Sequence, residues 1–300
     1  MSKLTYQLGI LITILLGAFL NYYYCCDKVE EIVVEEIVSE PVIEPTKNPF
    51  LVQDANGNLD VKVNDNFNFK TSEMTILEPL SGKVTEGVMQ LSAYLTENPD
   101  KSVSITGYYK SDEVNHTAYP NLGLARAGAV KNYFVSKGIS SRVIDTHGKL
   151  YDAMVPDADN IYYGPVEFAV ATTGDHGDLD ALADEINSNP LVLNFGIDEF
   201  VIKLTEEQRE KFAKISRYLD KVDGATCTIV GHTDTTGPED HNMVLGKERA
   251  DFAKTYLVRH HIPEAKVMTE SKGSSEPIAD NSTTGGRAAN RRTIVTVNKP

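Results

Sequence analysis

The sequence predicts an α+β protein in which one β-α-β-α-β-β unit occurs twice behind a single N-terminal transmembrane helix. Three observations lead to this prediction. Residues 4–26 carry no charge and are largely apolar, and three short sequence blocks recur in one order 123 to 124 positions apart. The second copy also alternates strand-like and helix-like hydrophobic patterns. A length of 300 residues suits two domains of ordinary size.

The composition excludes several classes of protein. Lys and Arg number 29 against 43 Asp and Glu, which gives a formal charge of −14. Nucleic-acid binders and proteins that coat anionic lipid usually present a basic face, so we expect neither here. Three cysteines are too few for a disulfide scaffold or a Cys-rich zinc module.

The first 26 residues predict a membrane anchor. As a helix, residues 4–26 extend about 34 Å, which covers a hydrocarbon core of about 30 Å. Lys3 precedes this segment and acidic residues follow it, so we expect an inner-membrane, single-pass protein with a cytoplasmic N-terminus and a periplasmic bulk.

Processing of this segment is the alternative. A cleaved signal peptide needs a small-x-small site, and tyrosines stand at that place. A lipoprotein signal needs a small residue before its cysteine, whereas Tyr24 precedes Cys25. Cys25 and Cys26 have three open roles: small apolar residues at the membrane interface, an interchain disulfide, or acylation. A homo-oligomer is also left open. Because the segment has no Asp or Glu, it does not predict a proton-conducting stator.

An acidic stalk follows the anchor, and two domains follow the stalk. Residues 27–47 hold seven acidic and two basic side chains together with Pro41 and Pro45, which predicts a spacer kept extended by self-repulsion. We assign residues 27–48 to this stalk, 49–173 to the first copy of the repeat, 174–188 to an acidic linker and 189–300 to the second copy.

The repeat is carried by short blocks around shared glycines. Gly107 follows one apolar run and Gly231 follows another 124 positions later. Ser92-Ala93-Tyr94-Leu95 recurs as Ser216-Arg217-Tyr218-Leu219, and Leu122-Gly123-Leu124-Ala125-Arg126-Ala127 recurs as Leu245-Gly246-Lys247-Glu248-Arg249-Ala250. The second copy predicts strands at 191–195, 225–231, 266–270 and 293–297, and helices opening at 205 and spanning 239–259.

Three motifs of the second copy resemble a known family. They are Gly231-His232-Thr233-Asp234, then Asn242, Leu245 and Arg249 at helical spacing, and then Asn290-Arg291-Arg292. In this order and spacing they resemble the OmpA C-terminal-like family of peptidoglycan-associating domains. The resemblance is strong over about 110 residues and weak over the 125 before them.

The resemblance implies non-covalent binding of the diaminopimelate side chain of peptidoglycan. Carried over to this sequence, Asp234 and Arg249 form the principal clamp, with Thr236, Gly237, Asn242, Leu245 and Arg292 in support. The chemistry is consistent, because the free end of diaminopimelate bears an ammonium and a carboxylate on one carbon. An aspartate pairs with the first and a planar guanidinium with the second.

Other roles for these residues are weaker. Asp234 and Arg249 could form a plain salt bridge that pins the loop. A metal site built from His232, Asp234, Asp240 and His241 lacks an i, i+4 ligand pair, so we expect no metal. No nucleophile–base pair or phosphate loop is visible, which predicts a non-enzyme without a cofactor.

The first copy is expected to keep the fold and to lose the ligand. Lys110 stands where Asp234 stands, so a cation faces the ligand ammonium, and the closing segment has no Asn-Arg-Arg entry. Its tyrosines predict either a partner surface or ordinary half-buried side chains. They are Tyr108, Tyr109, Tyr151, Tyr162 and Tyr163.

The sequence therefore predicts a membrane-anchored periplasmic protein that tethers an envelope complex to the cell wall. The alternative is a scaffold or anchor subunit of an envelope machine, such as a secretion or contractile apparatus, that acts mainly through protein–protein contacts.

Overall fold

In a computed structural model of the chain, the structure describes residues 3–26, 44–54, 58–173, 178–195 and 202–300. They belong to two units, one ending at Ile43 and one comprising Glu44–Pro300. The first unit contains helix α1 (Lys3–Asn21) and a π-helical turn (Tyr22–Cys26). Within the described residues, Lys3–Cys25 is the one helical segment long and apolar enough to cross a membrane. Of the stalk expected at 27–48, residues 27–43 lie outside the described residues.

The second copy of the repeat has the predicted order β-α-β-α-β-β, to which the structure adds a helix before the first strand and a helix before the last one. Its elements are α4 (Leu179–Ser188), β8 (Leu191–Asn194), α5 (Glu206–Lys221), β9 (Thr226–His232), α6 (Glu239–Arg259), β10 (Val267–Gly273), α7 (Thr284–Asn290) and β11 (Arg292–Asn298). The sheet has the order β10-β9-β11-β8, in which β9 and β10 are parallel and the other pairs are antiparallel. This mixed sheet confirms the α+β prediction.

The first copy repeats this core and adds a hairpin. Its elements are β1 (Phe50–Gln53), β2 (Asp60–Val63), β3 (Phe69–Lys70), α2 (Gly82–Glu97), β4 (Lys101–Tyr109), α3 (Leu122–Ser136), β5 (Ile144–Leu150), β6 (Ile161–Tyr162) and β7 (Val166–Thr172). The central sheet has the order β5-β4-β7, with β5 parallel and β7 antiparallel to β4. The added strands β1 and β2 pair with each other, and β3 pairs with β6.

Part of the expected linker is a helix. Residues 179–188 form α4, whose N-cap Asp178 accepts a hydrogen bond from the Ala181 backbone. Ala183 and Ile186 face the core of the second copy, and the amide of Asn187 exchanges two hydrogen bonds of 2.9 Å with the backbone of Val297. The acidic composition suggested a linker, but the apolar stripe on one face of this helix is buried against the domain.

The repeated glycines mark the closest contact between helix and sheet. A Cβ atom on Gly231 of β9 would lie 1.8 Å from the carbonyl oxygen of Gly246 on α6. In the first copy, a Cβ atom on Gly107 would lie 2.0 Å from the carbonyl oxygen of Gly123. Any side chain at either strand position would push the helix off the sheet, which explains why these glycines recur.

The two copies pack against each other within the unit 44–300. Tyr119 of the first copy is buried against Phe212 of α5, with ring centroids 5.0 Å apart, and its hydroxyl donates to the carbonyl of His260 at 3.1 Å. Lys131 pairs with Asp220 at 2.5 Å. Lys221 pairs with Asp145 at 2.9 Å and donates to two carbonyls of the first copy. The interface is therefore both apolar and ionic.

The chain enters the first copy through backbone hydrogen bonds. The Thr46 amide donates to the carbonyl of Val155 at 2.9 Å, and the Asn48 amide donates to the carbonyl of Tyr163 at 3.1 Å. The side chain of Asn66 then donates to the carbonyls of Asn48 and Val166 at 3.3 and 3.2 Å. The segment before β1 is thus fixed to the start of β7 and to the chain that precedes β7.

Candidate functional site

The site lies where β9 ends and the chain turns into α6. The Thr233 amide donates to the carbonyl of Gly273 at 2.9 Å, which continues the contact between β9 and β10 by one residue. Asp234 follows and is 8% exposed. Gly237 has a φ of +87°, which a residue with a side chain rarely adopts, and α6 begins two residues later. The Gly-His-Thr-Asp segment therefore presents Asp234 directly after the buried strand.

Asp234 is held by a cation and a backbone amide. Its Oδ2 lies 2.8 Å from Nη1 of Arg291, and its Oδ1 accepts the Thr236 amide at 2.9 Å. Burial alone would raise the pKa of Asp234, but the hydrogen bonds from Arg291 and Thr236 outweigh it and lower the pKa below its ordinary value. The carboxylate is therefore ionised at neutral pH.

Arg249 reaches the same place from α6. The close packing of Gly246 on Gly231 brings the helix over β9. Nη1 of Arg249 then donates to the carbonyl of His232 at 3.3 Å, and its guanidinium carbon lies 6.0 Å from the ring centre of Phe195. Arg249 is 5% exposed. An anionic and a cationic side chain thus converge within two residues of the end of β9.

The other predicted site residues surround this pair. Thr236 and Gly237 are exposed in the loop, Asn242 is buried near the start of α6, and Leu245 is half-buried one turn before Arg249. Arg292 begins β11 and is buried, with Nη2 donating to the carbonyl of Glu276 at 3.2 Å. It supports the segment before α7, whereas its neighbour Arg291 pairs with Asp234.

Three residues at the site were not among those that the sequence assigned to it. In the sequence, Arg291 is only part of the Asn-Arg-Arg motif, and Phe195 is only the last residue of the strand predicted at 191–195. Oδ1 of Asn281 accepts the Thr235 amide at 3.2 Å and the side-chain amide of Asn290 at 3.0 Å. The motif carries a signal for Arg291, because Arg291 directly precedes Arg292 at the start of β11, and neighbouring residues there point to opposite faces of the sheet. For Asn281 no sequence pattern gives a signal.

Burial makes the site electrostatically sensitive. Burial, with nearby Arg292 adding to it, lowers the pKa of His232 to about 4, so the imidazole is neutral at neutral pH. Among the described residues, several buried polar atoms here lack a hydrogen-bond partner: His232 Nδ1, Thr233 Oγ1, Asn242 Nδ2 and Thr293 Oγ1. Buried polar atoms of native proteins usually have partners, so these four atoms are candidates for contact with water or a ligand.

A metal site has no support in the described part of the chain, where no three His, Cys, Asp or Glu side chains gather to hold an ion. Asp240 and His241 lie exposed in the first turn of α6, whereas His232 is buried at the end of β9.

The first copy keeps the clamp arginine as Arg126 but has Lys110 at the position of Asp234. Val166 lies opposite Gly107 and Thr293 lies opposite Gly231, so Gly164 and Pro165 take the places of Arg291 and Arg292. The five tyrosines are not all exposed. Tyr162 is buried, the Tyr163 hydroxyl donates to Asp157 at 2.6 Å, and the rings of Tyr108 and Tyr151 lie 5.6 Å apart.

The fold and the site together define a protein with two OmpA-like domains in tandem. Each domain has helices packed on a mixed sheet, and in each the loop after the central strand leads to a helix that carries a buried arginine. The chain belongs to the OmpA family, whose family model matches residues 68–154 and 194–291, together more than half of the chain. This confirms the resemblance in both copies.

Individual relatives share part of the chain. It is 37% identical over 103 residues to outer membrane protein A of Bordetella avium, covering 34% of this chain and 52% of that protein. It is 33% identical over 126 residues to the peptidoglycan-binding protein ArfA of Mycobacterium tuberculosis, covering 42% of this chain and 37% of that protein. The chain thus spans about half the length of the first relative and about a third of the second.

Two solved structures are similar to part of the chain. The cell wall anchor of the T6SS from Pseudomonas aeruginosa is similar over its whole length and 42% of this chain, with 20% identity and a TM-score of 0.30. The peptidoglycan-associated lipoprotein from Burkholderia pseudomallei is similar over 89% of its chain and 36% of this one, with 22% identity and a TM-score of 0.32.

Proposed function

We propose that the second copy binds the peptide stem of diaminopimelate-type peptidoglycan without covalent chemistry. The observation that carries this proposal is the convergence of the ionised Asp234 and the buried Arg249 at the end of β9. These opposite charges complement the ammonium and the carboxylate at the free end of diaminopimelate. Membership of the OmpA family, together with a relative named as a peptidoglycan-binding protein, supports it.

Each clamp residue has a distinct task. A carboxylate offers about four lone-pair positions, and in Asp234 Arg291 and the Thr236 amide occupy one on each oxygen. The ligand ammonium binds the remaining positions. Arg249 binds the ligand carboxylate through its planar fork, while Phe195 keeps the guanidinium plane in place from behind.

The supporting residues act on the loop and its surroundings. Thr236 and Gly237 lie just before the N-terminus of α6, where backbone amides favour an anion. The buried Nδ2 of Asn242 is a donor that lacks a partner among the described residues. Leu245 provides an apolar wall, and Arg292 holds the segment at Glu276 that borders the site.

We further propose that α1 is an uncleaved inner-membrane anchor and that the bulk of the chain is periplasmic. The apolar length of Lys3–Cys25 and the acidic stretch that follows support this arrangement. The protein then connects the membrane, and an envelope complex associated with it, to the cell wall.

The test is sedimentation of the full-length protein in detergent with diaminopimelate-type peptidoglycan. We expect Asp234→Ala and Arg249→Ala each to reduce the bound fraction at least tenfold, because either change removes one side of a two-sided clamp. Asp251→Ala and Arg259→Ala remove the same charges from exposed positions on α6 and are expected to bind as wild type does. Equal binding by all five proteins would refute the proposal.

A competition experiment tests the chemistry of the ligand. Free meso-diaminopimelate is expected to displace the wild-type protein from peptidoglycan. L-lysine has an ammonium but no carboxylate on its terminal carbon, so it lacks a partner for Arg249 and is expected to displace the protein at least tenfold less well. Equal displacement by both compounds would show that the clamp does not recognise the zwitterion.

A scaffold subunit of an envelope machine is the second candidate. The exposed apolar side chains of Leu150 and Tyr151 at the end of β5 favour it, because they form a possible protein contact outside the wall site. Leu150→Glu combined with Tyr151→Ser is expected to remove co-purifying membrane partners if the scaffold role dominates. Asp234→Ala leaves those partners bound in that case.

A further inference from the structure

The arginine of the first copy is already bound to a carboxylate of the same chain. Arg126 corresponds to Arg249 in the repeat and is completely buried. Its Nη2 lies 2.5 Å from Oε1 of Glu113, and its Nη1 lies 3.1 Å from Oε2 of the same side chain. This is the two-bonded geometry with which a guanidinium recognises a carboxylate. The side chain of Glu113 is 3% exposed.

The two arginines occupy equivalent positions. Nη1 of Arg126 donates to the carbonyl of Tyr108 at 2.8 Å, and Nη1 of Arg249 donates to the carbonyl of His232, the matching residue after the strand glycine. Each guanidinium also lies close to a phenylalanine ring. The distance to the ring centre is 5.7 Å for Phe69 and 6.0 Å for Phe195. The carboxylate of Glu113 therefore lies on the fork of an arginine that matches Arg249.

The loop around Glu113 is built to hold an anion. The Lys110 amide donates to its Oε2 and the Ser72 amide to its Oε1, both at 2.8 Å. Lys110 occupies the repeat position of Asp234, which presents a carboxylate in the second copy. In the first copy the same loop position presents a backbone N–H group to a carboxylate. The site therefore has four donors for one anion and no acceptor that matches Asp234.

We propose that Glu113 is an internal substitute for a ligand carboxylate, so that the first copy contains a carboxylate-binding site filled by its own chain. The comparison with a ligand rests on the proposed function of the second copy. The occupation of Arg126 by Glu113 rests on the distances alone. Without Glu113, this site selects an aliphatic monocarboxylate. Its groups on Arg126, Lys110 and Ser72 all donate hydrogen bonds to the anion, and none of them accepts one.

The proposal predicts chemical rescue. Glu113→Ala removes a CH₂–COO⁻ group, which acetate matches in size and charge. In the full-length protein in detergent, this variant is expected to lower the thermal midpoint by roughly 10 °C, because Arg126 is left buried without its counter-charge. Sodium acetate at tens of millimolar is expected to raise that midpoint by several degrees more than sodium chloride does.

Controls separate the site from general effects of the anion. Acetamide has the size of acetate without its charge and is expected to leave the midpoint of Glu113→Ala unchanged. Glu113→Gln keeps the site filled. Glu167→Ala removes a different carboxylate, which accepts a hydrogen bond from the Tyr108 hydroxyl and does not bind Arg126. Neither variant is expected to respond to acetate.

An equal response to acetate in the wild type and in Glu113→Ala would overturn the proposal. If Glu113→Ala does not fold in chloride, the recovery of folded protein in acetate and not in acetamide becomes the measurement, and recovery in neither overturns it. Peptidoglycan binding does not enter this readout. Failure of the wall-binding proposal and failure of this one are therefore distinguishable.

Discussion

Oδ2 of Asp234 lies 2.8 Å from Nη1 of Arg291, which joins the loop after β9 to the residue before β11. The two residues are 57 positions apart in sequence. The pair is partly buried, with about a tenth of each side chain exposed. Arg291 therefore positions the loop and also keeps its carboxylate charged.

The first prediction concerns the pH dependence of wall binding. Because the pKa of Asp234 is lowered, its carboxylate is still charged at the pH where an ordinary aspartate becomes protonated. The charge is lost only as the pH falls through the lowered pKa. Arg291→Ala removes a cause of that shift, so binding is expected to fail at a higher pH than in the wild type. Sedimentation with peptidoglycan between pH 3 and 7 measures this. Arg259→Ala is the matched control, and an unchanged pH midpoint in Arg291→Ala would contradict the prediction.

The second prediction concerns the contact between glycines. Gly231→Ala places a methyl group 1.8 Å from the carbonyl oxygen of Gly246, and backbone atoms cannot yield as a flexible side chain can. We expect a loss of about 3 kcal/mol in the free energy of unfolding. Gly285→Ala in α7 is the control, because its new methyl group meets no atom within 4 Å. Urea denaturation measures both, and equal stability of the two variants would refute the packing argument.

The third prediction concerns the interface between the copies. The side chain of Lys221 is 4% exposed and donates to Asp145 and to the carbonyls of Arg142 and Ile144. Lys221→Met leaves these acceptors without their donor, which costs about 2 kcal/mol. Calorimetry is expected to show one unfolding transition in the wild type and two in the variant.

Lys214→Met is the matched control for that interface. Its side chain is 43% exposed, and its surface pair with Glu185 contributes less than about 1 kcal/mol. We expect one transition in this variant. Two transitions in both variants, or one in both, would show that Lys221 does not couple the copies.

The fourth prediction concerns stability in mild acid. The pKa of His232 is about 4 in the folded chain, against about 6.5 for an unperturbed histidine. Between these values the unfolded chain binds the extra proton, so stability falls as the pH decreases from about 6.5 to about 4, by at most about 3 kcal/mol. His260 and His261 have lowered pKa values and act in the same direction.

Denaturation at several pH values isolates the part due to His232. His232→Gln is expected to lose stability less steeply than the wild type over this range, whereas His241→Gln, at an exposed position, is expected to follow the wild type. Parallel curves for all three proteins would contradict the assignment.

The second copy was predictable because its signals are local. The helix predicted at 239–259 is α6 (Glu239–Arg259), and the helix predicted to open at 205 begins with a capping box between Thr205 and Gln208. Hydrophobic period and cap residues lie within a few positions of each other, so a single sequence contains them.

The less predictable features depend on distant residues. The pairing of Asp234 with Arg291 and the filling of the first site by Glu113 both arise from the folded arrangement of separate loops. Helix α4 was not predicted, because its acidic composition is typical of a linker. Its apolar face is buried only through contact with α5 and β11, which lie elsewhere in the sequence. A fragment that begins at 189 would remove this helix, so a test of the second copy is better made in the full chain.

The packing of Tyr119 on Phe212 and the pairs Lys131–Asp220 and Lys221–Asp145 have a mechanical consequence. If the chain is held between membrane and wall as proposed, tension enters the first copy through the hydrogen bonds of Thr46 and Asn48 and crosses to the second copy through these contacts. The two copies then resist shear as one stiff body, whereas domains on a free linker would swivel under the same pull.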